Sequence, residues 1–280
     1  MKETLAKLRT ALIPIYGKYE TDAIIRLIFH KLKGWNLTDM LIHQGDELSD
    51  FVKDEIDGIL KRLLNHEPIQ YILGEARFHG LDFIIEPGVL IPRQETDELI
   101  DIIIDENKDK EDLKVLDLCT GSGCIAIALA RNLPFSSICG VDYSEEAVKV
   151  AEENNNLLKT KVIIQKEDIF DWMPESKYDI IVSNPPYVMD KEALSMEKNV
   201  LDFEPHDAIF VPDDNPLIYY KRIKEIAEKS LNMGGRLYLE INPLKSEELK
   251  DLLEKGNFSE VTVIKDSSGK NRFIKAVLSD

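Results

Sequence analysis

Apolar residues recur at helical spacing through the first 67 positions. Leu5, Leu8, Leu12 and Ile15 make one run, Ile24, Leu27, Ile28 and Leu32 a second, and Ile56, Ile59, Leu60, Leu63 and Leu64 a third. Strand-like alternation is scarce there, so residues 1–67 are expected to form a small helical bundle domain. Between 68 and 92 the period changes. Arg77-Phe78-His79 and Asp82-Phe83-Ile84-Ile85 read as strands meeting at Gly80-Leu81, closed by Pro87 and Pro92. This stretch is expected to be a β-hairpin linker.

From 93 to 280 short apolar runs alternate with amphipathic ones. Strands are expected at Val115–Leu118, Ser137–Val141, Val162–Ile164, Ile180–Val182, Leu237–Ile241, Val261–Ile264 and Phe273–Leu278. Helices are expected at Glu95–Glu106, Ile125–Asn132, Glu145–Leu158, Pro216–Met233 and Ser246–Lys255, with Gly234-Gly235 capping the helix that ends at Met233. Near-continuous apolar strands between helices imply an α/β domain whose mostly parallel sheet is covered on both faces. Only Asp266–Lys270 joins the last two strands. A turn that short cannot hold a helical crossover, so these two should run antiparallel.

Charge narrows the range of partners. The chain carries a net charge of −17, unevenly spread. Residues 1–74 hold 10 basic and 11 acidic side chains, whereas the remainder holds 25 and 41. Phosphate backbones are bound mainly through Lys and Arg, so direct nucleic-acid binding is disfavoured and a basic protein partner is favoured. No apolar run approaches a membrane span of roughly 18 residues, and the helical faces mix acids with bases, so no membrane attachment is expected. The three cysteines, Cys119, Cys124 and Cys139, cannot all pair internally, and neither they nor the five histidines show zinc-site spacing. A cytoplasmic protein without a structural metal is expected, and a monomer.

Two segments carry chemistry. The first is Asp117-Leu118-Cys119-Thr120-Gly121-Ser122-Gly123, between a strand and its helix. Glycines there allow a sharp turn and a close approach of ligand to main chain. Asp142 ends the next strand, where a carboxylate can accept hydrogen bonds from two ribose hydroxyls. Together they point to an adenosine-containing ligand at the carboxyl edge of the sheet. Asp168, after the third strand, could reach an adenine amino group, and Ile169 could cover the ring. The binding candidates are therefore Cys119, Thr120, Gly121, Ser122, Gly123, Asp142, Asp168 and Ile169, with Asn184 from the second segment.

That second segment, Ser183-Asn184-Pro185-Pro186-Tyr187, follows an apolar strand. Two prolines end a strand, because neither can donate to the ladder. Asn184 offers a side-chain carbonyl and Pro185 a main-chain one, which together could hold both hydrogens of an NH₂ group. Tyr187 could stack on that group's planar frame. An amide nitrogen is a poor nucleophile because its lone pair is delocalised, and acceptors on both N–H bonds favour a pyramidal, attacking nitrogen.

Asn184-Pro185-Pro186-Tyr187 resembles the motif of methyltransferases that act on planar nitrogens, on adenine N6 or glutamine N5. Glu67-Pro68-Ile69-Gln70-Tyr71-Ile72-Leu73-Gly74, Val89-Leu90-Ile91-Pro92-Arg93-Gln94-Glu95-Thr96, Phe203-Glu204-Pro205 and Leu239-Glu240-Ile241 resemble the release factor glutamine methyltransferase family. The resemblance runs from about residue 66 to the end. It implies a Rossmann-like class I methyltransferase fold, with a mostly parallel seven-stranded sheet and an antiparallel last strand. It also implies S-adenosyl-L-methionine as donor, and as acceptor the glutamine side-chain nitrogen in the Gly-Gly-Gln tip of class-I peptide chain release factors. The catalytic and substrate-binding residues would be Asn184, Pro185, Pro186 and Tyr187. The helical domain and hairpin would help grip the partner.

Arg93 would lie near the substrate channel. Read from its neighbours alone, it is as well explained by an ion pair with Glu95 or Asp97. Three departures from the family pattern stand out: Cys119 and Asn242 where glycine is usual, and Phe210-Val211-Pro212-Asp213-Asp214-Asn215-Pro216 in place of a glycine-rich stretch. The alternative function is adenine-N6 methylation of RNA or DNA, against which the acidic charge balance argues.

Overall fold

The computed structural model describes residues 1–279. They form two compact units, one comprising Met1–Gly74 together with Glu197–Phe203, the other comprising the rest. The first unit opens with α1 (Lys2–Lys33), which is not one straight helix. Pro14 removes a main-chain donor, and Gly17 adopts φ 73°, ψ 173°, a conformation essentially restricted to glycine. The first two apolar runs are thus the two arms of α1. Leu5, Leu8 and Leu12 on one arm and Ile24, Ile25, Ile28 and Phe29 on the other are buried, whereas Ile15, beside the break, is exposed. Helices α2 (Leu37–Ile42) and α3 (Asp50–Leu64) follow, and Ile56, Ile59, Leu60 and Leu63 of α3 join the same core. Residues 69–73, expected within the hairpin linker, instead form a short helix, α4 (Ile69–Leu73), closed by Gly74 at φ 71°.

The second unit begins with the hairpin β1 (Glu75–Phe78) and β2 (Leu81–Ile84), paired antiparallel. The chain continues through α5 (Gln94–Asn107), β3 (Lys114–Leu118), α6 (Cys124–Asn132), β4 (Ser137–Asp142), α7 (Glu145–Leu157), β5 (Ile163–Lys166) and β6 (Tyr178–Ser183). Next come β7 (Val188–Met189), α8 (Lys198–Phe203), which belongs to the first unit, then β8 (Phe210–Val211), α9 (Ile218–Ser230), β9 (Leu231–Glu240), α10 (Ser246–Glu254), β10 (Phe258–Lys265) and β11 (Asn271–Leu278).

Seven strands make one sheet in the order β10-β11-β9-β6-β3-β4-β5. All its pairings are parallel except those of β11, which runs antiparallel to both neighbours. The central strands are apolar on both faces because both are covered. Leu116, Leu118, Ile181, Leu237 and Leu239 pack against Tyr220, Ile223 and Ile226 of α9 and Leu249 and Leu253 of α10. Helices α5, α6 and α7 pack on one another and on β9, β4 and β5. This is the Rossmann-like class I methyltransferase architecture, antiparallel last strand included. Among the described residues, no helix is long and apolar enough to cross a membrane.

The C-terminal limit of α9 differs from expectation. The helix expected to reach Met233 stops at Ser230, and Leu231 already pairs with Tyr178 of β6. Asn232–Gly235 then span the length that Asp179 alone spans on β6, and the Asn232 side-chain amide donates to Asp179 Oδ1 at 2.7 Å. Gly234-Gly235 therefore serve a bulge inside β9 rather than a helix cap. The bulge is an extra-residue excursion that the ladder accommodates by twisting.

Candidate active site

At the carboxyl ends of β3, β4 and β6 lies a cavity of about 800 Å³, continuous in its lining with a smaller one of about 280 Å³. Cys119 and Asp142 line both. Gly121, Asn184 and Pro186 line the larger, and Asp168 and Ile169 the smaller. The sheet explains why these residues meet. β3 is the central neighbour of both β4 and β6, so the chain ends at Leu118, Asp142 and Ser183 emerge side by side. Ser183 Oγ donates to the Leu118 carbonyl at 2.6 Å and ties two of those ends together.

The turn after β3 is built from buried polar contacts. Asp117 is fully buried, and its Oδ2 accepts from Thr120 Oγ1 at 2.6 Å and from the Ala126 N–H at 3.2 Å. Its Oδ1 has no partner among the described residues. Desolvation pushes this carboxyl up to about 7, against the pull of those two donors. Cys119 sits at φ 60°, a conformation costly for a residue with a Cβ. The site therefore carries strain where a glycine would carry none. Burial, with Asp142 nearby, raises the Cys119 thiol well above its ordinary value.

Asp142 is 9% exposed. Its Oδ2 accepts from the Gly121 N–H at 2.8 Å and its Oδ1 from the Ser144 N–H at 3.0 Å. Burial raises its pKa, and these two donors oppose the rise. A carboxylate has about four lone-pair sites, so capacity for two further donors remains. Asp168 Oδ1 accepts from the Phe170 N–H at 2.9 Å, which shapes the loop that brings buried Ile169 to the smaller cavity.

Several candidate residues sit off the cavity wall. Thr120 and Ser122 are buried with their hydroxyls turned inward, Thr120 to Asp117 and Ser122 without a partner among the described residues. Gly123, at φ 79°, lets α6 pack closely, since a Cβ there would lie 3.1 Å from both Ala151 and Ile127 side chains. Those three residues shape the turn rather than line the cavity, because the short strand–helix connection needs them for its own packing. Pro185 and Tyr187 are likewise absent from the lining. The Tyr187 hydroxyl is held by Glu240 Oε1 at 3.0 Å, and burial raises it far above the ordinary phenol value.

Arg93 corrects the sequence reading of its partner. Its guanidinium pairs with Glu204 at 2.7 Å, not with Glu95 or Asp97. Asp97 instead accepts from the His79 N–H at 2.9 Å. Glu204 is buried, and its other oxygen accepts from the Ile91 N–H at 3.1 Å. The segments around Ile91-Pro92-Arg93 and Phe203-Glu204-Pro205 are thereby fastened to each other.

Behind Asn184 runs a polar chain that sequence reasoning did not find. The Asn184 side-chain NH₂ lies 3.4 Å from Thr96 Oγ1, and Thr96 Oγ1 donates to Glu240 Oε2 at 2.6 Å. Arg272 approaches the Tyr187 hydroxyl at 3.4 Å and pairs with buried Asp266 at 3.2 Å. Asn242, one of the departures from the family pattern, donates to the Tyr187 carbonyl at 3.0 Å and to Glu192 at 2.8 Å. It takes up the loop that follows the motif. Pro87 and Leu90, read in the sequence only as a segment end and part of a family motif, also line the larger cavity, as do Tyr143 and Tyr219, which the sequence did not single out. Among the described residues, no cluster of three or more His, Cys, Asp or Glu could hold a metal ion.

Comparison with known proteins places this geometry in context. Residues 3–74 match the model of the PrmC N-terminal domain, and residues 80–202 that of the methyltransferase small domain. The chain is 44% identical to the release factor glutamine methyltransferase of Bacteroides thetaiotaomicron over 99% of each chain. It is 41% identical to that of Flavobacterium psychrophilum, over 95% of this chain and 94% of that one. A methyltransferase crystal structure from Pyrococcus furiosus superposes with a TM-score of 0.53 at 19% identity, covering 80% of this chain and all of that one, a likeness of fold.

Proposed function

The chain belongs to the release factor glutamine methyltransferase family, and from that premise we propose that it methylates the side-chain nitrogen (N5) of the glutamine in the Gly-Gly-Gln tip of class-I peptide chain release factors, with S-adenosyl-L-methionine as donor. The observation that carries the reading is Asn184. It stands on the wall of the cavity that Asp142 also lines, and its NH₂ is engaged by Thr96. Its side-chain oxygen accepts no hydrogen bond from any described residue, so that oxygen is available to an incoming N–H.

The cavity suits the donor. Asp142 has lone pairs to spare for two ribose hydroxyls, Asp168 and Ile169 line the adjoining cavity suited to an adenine, and the Cys119–Gly121 turn brings main chain to the wall. Bound there, S-adenosyl-L-methionine supplies a methyl group made electrophilic by its sulfonium.

The protein's own work is on the acceptor. Asn184 Oδ1 and the Pro185 carbonyl take the two amide hydrogens, which favours a pyramidal nitrogen and the positive charge that grows on it. Among the described residues no main-chain N–H is bonded to the Pro185 carbonyl. Pro186 lines the cavity beside them, and Tyr187, off the cavity wall, anchors the end of the motif through its hydroxyl bond to Glu240. Holding the reacting atoms roughly 3 Å apart supplies much of the remaining rate. No strong base is needed before attack, and the proton leaves afterwards to water. Residues 1–67 and the hairpin serve as the grip on the large protein substrate. Arg93 acts on this reading through the loop that it pins to Glu204.

The test is to incubate the protein with labelled methyl donor, a purified class-I release factor and total RNA. Label on the glutamine of Gly-Gly-Gln, located by mass spectrometry, is expected. Label on RNA alone would replace this reading with adenine methylation.

A further inference from the structure

We propose that Glu240, acting through Thr96, sets which end of the Asn184 amide faces the acceptor. The inference rests on the role given to Asn184 above. Glu240 ends β9, the strand next to β6, and is 1% exposed. Its two oxygens receive one hydroxyl each, Oε2 from Thr96 at 2.6 Å and Oε1 from Tyr187 at 3.0 Å. A carboxylate has no proton to give, so both hydroxyls must point toward it.

The consequence reaches Asn184. Thr96 has a single hydroxyl hydrogen, and Glu240 takes it. Thr96 can then offer Asn184 only lone pairs. At 3.4 Å it accepts the side-chain NH₂, and a flipped amide would set two oxygens against each other. The Asn184 oxygen is thereby turned from Thr96 and kept for the substrate. The other oxygen of Glu240 fixes Tyr187 in the same stroke, so one buried carboxylate orients both ends of the motif.

It is the negative charge, not the shape, that this device needs. Burial leaves the Glu240 pKa raised, with a smaller push from Glu95, and the Thr96 and Tyr187 hydroxyls and Arg272 oppose that rise and favour the charged form. A glutamine at 240 can present an N–H to Thr96. That would free the Thr96 hydroxyl to donate to the Asn184 oxygen and reverse the amide.

Thr96 and Glu240 are positioning residues, so the test separates orientation from folding and from donor binding. Wild type, Thr96→Val, Thr96→Ser and Glu240→Gln are assayed as full chains on a release factor, with kcat, both KM values and the donor Kd by calorimetry. Thr96→Val and Glu240→Gln are expected to lower kcat about tenfold or more while donor Kd stays within about twofold. Thr96→Ser, which keeps the hydroxyl, restores most of the rate. Should Glu240→Gln fail to fold, the isosteric Thr96→Val and Thr96→Ser pair decides alone.

Wild-type kcat in Thr96→Val, or a Thr96→Ser variant as slow as Thr96→Val, overturns the proposal and leaves the glutamine reading intact. A wild-type protein inert toward release factors overturns both.

Discussion

Gly121 and Asp142 are joined by a 2.8 Å hydrogen bond from main-chain N–H to carboxylate, across the ends of two neighbouring strands. The bond makes the glycine turn and the acid one object: the carboxylate that is to receive a ligand also holds the turn that is to cradle it. Removing it should therefore harm binding twice over. Asp142→Ala is expected to weaken donor affinity roughly 10- to 100-fold, the loss of one or two hydrogen bonds to a charged group. Calorimetric titration with S-adenosyl-L-methionine checks this. Affinity within twofold of wild type would remove Asp142 from the site.

Asn184→Ala should show the opposite signature. It takes away an acceptor used only as the nitrogen rehybridises, so kcat is expected to fall about 1,000-fold while donor Kd changes little. Turnover at the wild-type rate would refute its role.

Arg93 and Glu204 predict a stability effect where the sequence suggested a substrate contact. Arg93→Ala leaves a buried carboxylate with the Ile91 N–H as its remaining donor. Unfolding free energy in urea should drop by about 2–3 kcal/mol, less than the roughly 3–5 kcal/mol of a fully buried pair because the Arg93 side chain is 33% exposed. A change in release factor KM with an unchanged urea midpoint would return Arg93 to the substrate channel.

Asp117 gives a pH-dependent prediction. Its folded-state pKa, about 7, lies above its ordinary 3.8, so the native state binds the proton more tightly than the unfolded chain. The associated stability is fully present below 3.8 and is lost as pH rises through 7. The stability of wild type relative to Asp117→Asn should thus decline across that window, by up to about 4 kcal/mol, since one unit is worth about 1.4 kcal/mol. Chemical denaturation of both proteins at pH 5 and pH 8 covers about two units of that window, a difference of about 3 kcal/mol. A gap that widens in favour of wild type at pH 8 contradicts the assigned direction.

Strand positions were readable because burial on both faces demands apolar residues throughout, as in Val115-Leu116 and Ile180-Ile181-Val182. The antiparallel end was readable from the brevity of Asp266–Lys270. Helix limits were harder. Gly17 breaks α1 between two apolar runs that share one helical spacing, and Gly234-Gly235 look the same whether they cap a helix or bulge a strand. Local sequence proposes local partners, which is why Glu95 and Asp97 were offered to Arg93 although Glu204 lies far along the chain. Thr96 and Glu240 were hidden for the same reason: singly, each passes for a surface residue, and only the adjacency of α5 to β9 reveals them.

The tie between Leu118 and Ser183 also bears on how such a protein can diverge. The strand ends from which the donor and acceptor segments emerge belong to hydrogen-bonded neighbours in one sheet, so the spacing of those ends is an inter-strand distance of about 4.8 Å, set before the loops begin. Lineages could therefore rebuild the segments beyond Tyr187 and exchange one recipient molecule for another, while the reach of the transfer step was inherited unchanged.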